Sequence, residues 1–210
     1  NSQTALVSQI LETMAAKGYQ GLDVDFEYIP GMLREEYAAF IYRLHTALAP
    51  RGLPVIVALA PKTRRDQPGL LYEGHDYARL GQAADYVLVM TYEWGYTYGP
   101  PMAVAPLPNV RQVLDYAVGE IPPQKIYLGI PNYGYDWALP FRRGESKAQS
   151  ISNQRAVELA VEYGAEIQFD RAAQAPWFNY TAQDGTAHVV WFEDARSMSA
   201  KLRLIRDYGL

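Results

Sequence analysis

Three acidic side chains alternate with apolar ones in a short segment, Asp23-Val24-Asp25-Phe26-Glu27. Alternation with a period of two is typical of a β-strand and places the three carboxyls on one face, successive ones roughly 6.5–7 Å apart. Neighbouring carboxyls cannot all ionise cheaply in a low-dielectric interior, so at least one pKa is raised. We therefore predict that Glu27, which is last and has the longest side chain, is a general acid, with Asp25 beside it and Asp23 behind.

A protonated carboxyl near neutral pH is suited to glycoside hydrolysis. The usual scheme needs a second carboxylate across the scissile bond, and Glu93 could oppose the acidic segment. In the alternative scheme the substrate's own 2-acetamido carbonyl is the nucleophile. Aromatic residues are numerous, with 17 Tyr and 4 Trp, and many follow predicted strands, where flat faces suit sugar rings.

Composition excludes several other classes of function. The net charge is −4 and the basic residues are scattered, which argues against nucleic acid or an anionic membrane surface as a partner. No apolar run approaches the roughly 20 residues of a membrane span, and no basic-then-apolar signal segment is visible. The absence of cysteine excludes disulfides and thiolate sites. The three histidines lack metal-ligand spacing, so we predict no metal and no cofactor, and we expect His45 and His75 to be structural or solvated.

Helical and strand patterns alternate in the first 130 residues. Helices are predicted over 4–17, 33–49, about 75–82 and 109–118, and strands over about 20–28, 54–60, 85–92 and 125–130. This alternation predicts βα units and a parallel sheet, hence an α/β fold. Polar residues fall at the carboxyl ends of these strands, where parallel barrels build active sites: Asp25, Glu27, Tyr92, Glu93, Tyr133 and Asp136.

The pattern changes after Trp137. A helix is predicted over 152–163 with Ser152 as its N-cap, and strand-like pieces over 166–169 and 187–192 flank an Asp184-Gly185 turn. We interpret 140–193 as a small α+β insertion. A last helix is predicted over 197–208, capped by Ser197.

The acidic segment resembles the signature strand of the family 18 glycoside hydrolases, D-x-x-D-x-D-x-E. Here it runs from Gln20 to Glu27, with Gln20 in place of the first Asp and the last three acids intact. The resemblance implies that Glu27 protonates the leaving oxygen. It also implies that Asp25 orients the substrate's N-acetyl group for attack on the anomeric carbon, and that Asp23 supports Asp25.

Two further motifs are similar to those of the family. Met90-Thr91-Tyr92-Glu93 resembles M-x-Y-D with Glu for Asp, and residues 128–134, LGIPNYG, resemble the seventh-strand motif. The resemblance implies that Tyr92 contacts the acetamido group as a catalytic residue and that Glu93 lines the substrate site. Other substrate-binding residues are predicted within these segments or directly after them: Trp94, Asn132, Tyr133, Asp136 and Trp137.

The resemblance implies a (β/α)8 TIM-barrel fold, of which this chain supplies strands four to seven plus the insertion. Residues 1–139 and 194–210 are then a partial catalytic barrel. A four-stranded parallel sheet has two unclosed edges, which would favour self-association. We expect the 210-residue chain alone to be weakly active or inactive, and a complete barrel to be active.

Three segments, Tyr92–Tyr96 followed by Gly99–Ala103, Pro131–Trp137, and Val190–Ser197, are more similar to the spore cortex-lytic and sporulation-specific N-acetylglucosaminidase branch than to chitinases in general. This similarity implies a retaining, substrate-assisted glycosidase acting on peptidoglycan, in an extracellular, cell-wall or spore-cortex location. Three alternatives remain: a chitinase acting on chitin-like oligosaccharides, a non-catalytic sugar-binding module, and a two-carboxylate hydrolase with Glu93 as the nucleophile.

Overall fold

The first sheet consists of four parallel strands. The structure, a computed structural model, describes residues Ser2–Leu210. The strands are β1 (Leu22–Val24), β2 (Val55–Leu59), β3 (Tyr86–Val89) and β4 (Ile126–Leu128), paired in sequence order. The helices of this part are α1 (Ser2–Lys17), α2 (Arg34–Leu48), α3 (Tyr77–Ala83) and α4 (Leu107–Glu120). Sequential parallel order is the arrangement of neighbouring barrel strands, but Ser2–Leu210 do not form a closed barrel.

Apolar side chains of β2 and of α2, the helix between β1 and β2, are buried. Alternate residues of β2, Val55, Val57 and Leu59, are 0% exposed. On α2, Ile41, Leu44 and Leu48 have the helical spacing that places them on one face, and all three are at most 1% exposed. The predicted alternation of helices and parallel strands is therefore confirmed, with element ends shifted by a few residues.

Strand β1 is shorter than predicted. Only Leu22–Val24 pair with β2, whereas the sequence pattern predicted a strand over about 20–28. Beyond Val24, the carbonyl of Phe26 and the N–H of Ala60 both bond to the imidazole of His75 instead of to each other. The acids Asp25 and Glu27 therefore lie in a segment that continues β1 without being part of the sheet.

The second sheet is antiparallel and has five strands. They are β5 (Tyr133–Ala138), β6 (Gln149–Ser152), β7 (Gln168–Asp170), β8 (Ala175–Thr181) and β9 (Ala187–Trp191), in the order β6-β5-β9-β8-β7. Helices α5 (Asn153–Glu162) and α6 (Ala195–Tyr208) accompany it. The predicted turn at Asp184-Gly185 is confirmed but joins β8 to β9, and β5, β6 and β8 were not predicted.

One of the two predicted helix caps is confirmed. The Ser152 hydroxyl accepts the N–H of Arg155 at 3.0 Å, as an N-cap should. The prediction of Ser197 as a cap was wrong. Asp194 Oδ1 accepts the N–H groups of Arg196 and Ser197 at 2.9 and 3.1 Å, so a residue one position before α6 caps it.

The chain divides into two compact units. The first contains residues up to Met90, Val113–Gly129 and Tyr208–Leu210; the second contains Thr91–Gln112 and Ile130–Asp207. The first holds the parallel sheet and the second the antiparallel sheet. The predicted division at 140 and 193 remains a prediction. None of the helices within Ser2–Leu210 has the length and apolar character that crossing a membrane requires.

Candidate active site

The acidic segment in the first unit carries two carboxyls with raised pKa values. Val24 is 6% exposed and anchors the segment, while Asp23, Asp25 and Glu27 are exposed. Partial burial, followed by the charge of Asp25, raises the pKa of Glu27 above its ordinary value of 4.5. The same two causes raise the pKa of Asp23. A carboxyl group in this setting keeps its proton to higher pH than a free one.

Aromatic rings support the segment from one side. The ring of Phe26 stacks on those of Tyr37 and Phe40 of α2, each with a centroid separation of 6.0 Å. Burial raises the pKa of the Tyr37 phenol, and the charges of Asp25 and Asp23 add to this rise. Tyr37 therefore remains a neutral phenol close enough to both carboxylates to interact with them electrostatically.

A second cluster of functional groups, in the second unit, centres on Glu93. Tyr133 donates its hydroxyl to Glu93 Oε1, and Tyr135 donates to Oε1 at 2.8 Å and Oε2 at 3.1 Å. Burial, followed by the hydrogen bond to Glu93, raises the pKa of Tyr135 to about 12. The same two causes raise the pKa of Tyr133. The arrangement holds an exposed carboxylate between two phenol donors.

The sequence motifs did not predict Tyr135 as part of this cluster. Tyr133, Tyr135 and Trp137 are spaced by two, and alternate residues of a strand share a face. This alternation was the available signal. It was obscured because Gly134 and Asp136, which occupy the other face, are residues that strands disfavour.

Trp137 is buried and holds the loop that follows Glu93, so its ring has no exposed face on which a sugar could stack. It is 1% exposed, and its indole Nε1–H donates to the carbonyl of Gly99 at 2.9 Å. The same loop is closed by Gly95, whose N–H donates to the carbonyl of Ala103 at 3.0 Å. Gly95 leaves no space for a side chain, since a Cβ there would lie 2.2 Å from the Met102 carbonyl oxygen.

The other predicted binding residues occupy different settings. Asp136 is 8% exposed; its Oδ2 accepts the hydroxyl of Tyr180 at 2.6 Å and its Oδ1 lies 2.8 Å from His188 Nδ1. Being one residue from Tyr135 on β5, it lies on the opposite face of the sheet from the Glu93 cluster. Tyr92 packs against the buried apolar cluster that contains Tyr135 and Trp137. Trp94 is half-buried and Asn132 is exposed. Within Ser2–Leu210, no group of three or more His, Asp or Glu residues is placed to hold a metal ion.

The fold and the acidic segment agree with the result of a family comparison. The model of the glycosyl hydrolases family 18 matches residues 1–210, and the chain belongs to that family. The family has a TIM-barrel fold, consistent with the parallel sheet. Among curated relatives, the cortical fragment-lytic enzyme of Bacillus subtilis (strain 168) is 44% identical over 205 residues, which are 98% of this chain and 48% of that protein.

Other relatives agree with this assignment. The putative sporulation-specific glycosylase YdhD of Bacillus subtilis (strain 168) is 37% identical over 209 residues, covering 100% of this chain and 49% of YdhD. This chain thus spans about half the length of these curated relatives. The crystal structure of the spore cortex-lytic enzyme SleL of Bacillus megaterium QM B1551 superposes with a TM-score of 0.94 at 47% identity, covering 99% of this chain and 48% of SleL. A chitinase of Chromobacterium violaceum ATCC 12472 gives a TM-score of 0.91 at 35% identity, covering 99% of this chain and 64% of that one.

Proposed function

We propose that this chain carries the acid–base residue of a glycosidase that cleaves N-acetylglucosaminyl bonds in peptidoglycan, and that Glu27 is this residue. The observation that carries the proposal is the arrangement of three exposed carboxyls, Asp23, Asp25 and Glu27, along β1 and the segment that continues it. Burial and then the charge of Asp25 raise the pKa of Glu27, which supports its role as the acid. A general acid works best when its pKa is close to the operating pH. The relatives' names as cortex-lytic enzymes support the choice of peptidoglycan.

A substrate-assisted, retaining mechanism fits these residues better than a two-carboxylate one. Glu93, the other candidate nucleophile, accepts hydrogen bonds from Tyr133 and Tyr135, and such bonds stabilise a carboxylate and reduce its nucleophilicity. We therefore assign the nucleophile to the acetamido carbonyl of the substrate. Asp25 would orient that group, and Asp23, whose pKa is also raised, would hold or share a proton behind it.

We also propose substrate-binding roles for Glu93 and Tyr92. Glu93 offers an exposed, ordered carboxylate to sugar hydroxyls, and Tyr92 is the proposed partner of the acetamido group. We propose binding roles for five further residues: Trp94, Asn132, Tyr133, Asp136 and Trp137. For Trp137 we propose an indirect role, because it is buried and fixes the loop through Gly99.

Chitin-like oligosaccharide is the second candidate substrate. It is favoured by the chitinase of Chromobacterium violaceum, which is 35% identical and shares the fold. The same residues would act on either polymer, because both present an N-acetylglucosaminyl unit. A non-catalytic sugar-binding module remains the alternative for the 210-residue chain by itself.

The test uses the protein as its organism makes it, and the 210-residue chain in parallel. A defined peptidoglycan fragment and a chitooligosaccharide of equal length are incubated with each protein, and the products are identified by mass spectrometry. Glu27→Gln should reduce turnover about 10²–10⁴-fold while sugar binding persists. Glu12→Gln, on the exposed side of α1, is the matched control.

Each outcome of this test has a distinct meaning. Unchanged turnover in Glu27→Gln would refute the assignment of the acid. Cleavage of chitooligosaccharide alone would select the chitinase, and binding without products would select the sugar-binding module. Appreciable turnover by the 210-residue chain alone would contradict the expectation that it is weakly active. We also propose an extracellular, cell-wall or spore-cortex location, and self-association through the unclosed edges of the parallel sheet.

A further inference from the structure

The imidazole of His75 takes the place of one hydrogen bond in the parallel sheet. Val24 lies opposite Val57, so continuing the register would join the carbonyl of Phe26 to the N–H of Ala60. Instead, Ala60 N–H donates to His75 Nδ1 at 2.8 Å, and His75 Nε2 lies 2.8 Å from the Phe26 carbonyl oxygen. The ring therefore bridges β2 and the acidic segment and spreads them apart immediately before Glu27.

The two contacts define the protonation state of the ring. Since an amide N–H can only donate, Nδ1 must be the acceptor, and Nε2 must carry the proton that is donated to Phe26. His75 is 0% exposed, and burial is the main cause that lowers its pKa. The imidazole is thus neutral, with a single tautomer, and the ring of Tyr37 stacks on it at 5.9 Å.

Gly74, the residue before His75, packs against the chain segment that follows Glu27. Gly74 lies so close to Ile29 that a Cβ would be 2.2 Å from the Ile29 carbonyl oxygen and 2.4 Å from its Cβ. Tyr28, between Glu27 and Ile29, has a φ of 57°, a left-handed backbone conformation that residues other than glycine rarely adopt. Such a conformation persists only where the surroundings hold it.

We propose that His75 is a positioning residue for Glu27: with Gly74 it holds the backbone on both sides of the acid and so directs the carboxyl group. The proposal rests on the proposed function only in taking Glu27 as the acid. His75 itself transfers no proton, because its Nε2–H is held by the Phe26 carbonyl. The imidazole replaces one direct backbone hydrogen bond between neighbouring strands by a longer bridge. The chain therefore leaves the sheet before Glu27.

Two variants of similar polarity separate the two contacts. In His75→Asn the amide oxygen can take the place of Nδ1 and accept from Ala60, but the side chain is too short to reach Phe26. In His75→Gln the amide nitrogen can take the place of Nε2 and donate to Phe26. Tyr77→Phe is the control, because its buried hydroxyl bonds Ala60 O at 2.6 Å and does not contact Phe26.

The primary readout is independent of activity: the carboxyl titration of Glu27, followed by carbon-13 NMR in the 210-residue chain. We expect His75→Asn to move the Glu27 midpoint toward its ordinary value of 4.5. His75→Gln and Tyr77→Phe should leave it in place. In the protein as its organism makes it, His75→Asn should lower kcat at least about tenfold with little change in KM, since small misplacements of a catalytic group are costly.

The proposal is overturned if His75→Asn folds and leaves the Glu27 titration unchanged, or if Tyr77→Phe shifts it equally. In the second case the effect would belong to general core packing. If the unmodified protein cleaves no glycan, the proposed function fails, while the NMR titration still decides whether His75 positions Glu27.

Discussion

The Tyr135 hydroxyl donates to both carboxylate oxygens of Glu93, at 2.8 Å to Oε1 and 3.1 Å to Oε2. Tyr133 donates to Oε1 as well, so one carboxylate joins two side chains on the same face of β5. Glu93 has a φ of 68°, in the left-handed region that is uncommon for glutamate. The two phenols therefore hold in place a backbone conformation that the residue does not favour by itself.

Removing either phenol hydroxyl should destabilise the protein. Tyr135→Phe is expected to lower the free energy of unfolding by about 1 kcal/mol, the usual net value of a hydrogen bond. Because Tyr133 shares the acceptor, the double variant should deviate from additivity. Urea denaturation measures both effects. Tyr127→Phe, at a residue 49% exposed, is the control and should change the unfolding free energy little; equal losses at positions 127 and 135 would argue against the role of Glu93.

The buried ion pair of Lys201 and Glu193 gives a second prediction. Its atoms lie 2.9 Å apart, and the side chains are 1% and 0% exposed. Lys201→Met leaves a buried carboxylate without its partner, which should cost about 3–5 kcal/mol of unfolding free energy. Adding Glu193→Leu should recover most of that loss, because the unpaired charge is gone. A double variant no more stable than the single one would show that packing, not charge, is responsible.

His75 should make the folded protein sensitive to acid. Burial lowers its pKa below the ordinary value of 6.5 in the folded state, whereas the unfolded chain titrates near that value. Below pH 6.5 the unfolded state binds a proton that the folded state does not, so the unfolding free energy falls as pH decreases toward the folded pKa. Thermal denaturation between pH 7 and 5 should show a shallower loss in His75→Gln than in the unmodified chain. Parallel pH profiles for the two would contradict the prediction.

The pKa of Glu27 should respond to Asp25. Burial is the first cause of its elevation and the charge of Asp25 the second. Asp25→Asn should therefore lower the titration midpoint of Glu27 toward 4.5 without reaching it, because the effect of burial remains. Carbon-13 NMR of the carboxyl groups, in the variant and in the unmodified chain, measures this. A midpoint that rises in Asp25→Asn would mean that Asp25 acts on Glu27 by hydrogen bonding instead of charge.

The sequence predicted the parallel part of the fold well, because its signals are local. A short, continuous apolar run such as Val55–Leu59 is typical of a strand buried on both faces, and Ile41, Leu44 and Leu48 repeat at helical spacing. The antiparallel sheet was predicted poorly. Strand β8 contains Pro176 and buries residues on both of its faces, so it shows neither clean alternation nor a purely apolar run.

The candidate site, too, was predicted from the sequence only in part. The alternation from Asp23 to Glu27 could be read directly, and the structure gives Asp23 and Glu27 raised pKa values. The contact between His75 and Phe26 could not, because the two residues are 49 positions apart and nothing in the local pattern marks the histidine as a bridge. The periodicity of a sequence predicts which face of a strand or helix a residue occupies. It does not predict which side chain, distant in sequence, replaces a hydrogen bond between two strands.

The bridge at His75 also has a consequence for the order of folding. Its bond to Ala60 closes a loop of 15 residues, and its bond to Phe26 one of 49. Closing the longer loop costs about 1 kcal/mol more in chain entropy. We expect the contact with Phe26 to form after the transition state, so that His75→Asn accelerates unfolding and leaves the refolding rate in stopped-flow experiments nearly unchanged. The backbone around Glu27 would then be among the last parts of the chain to become ordered.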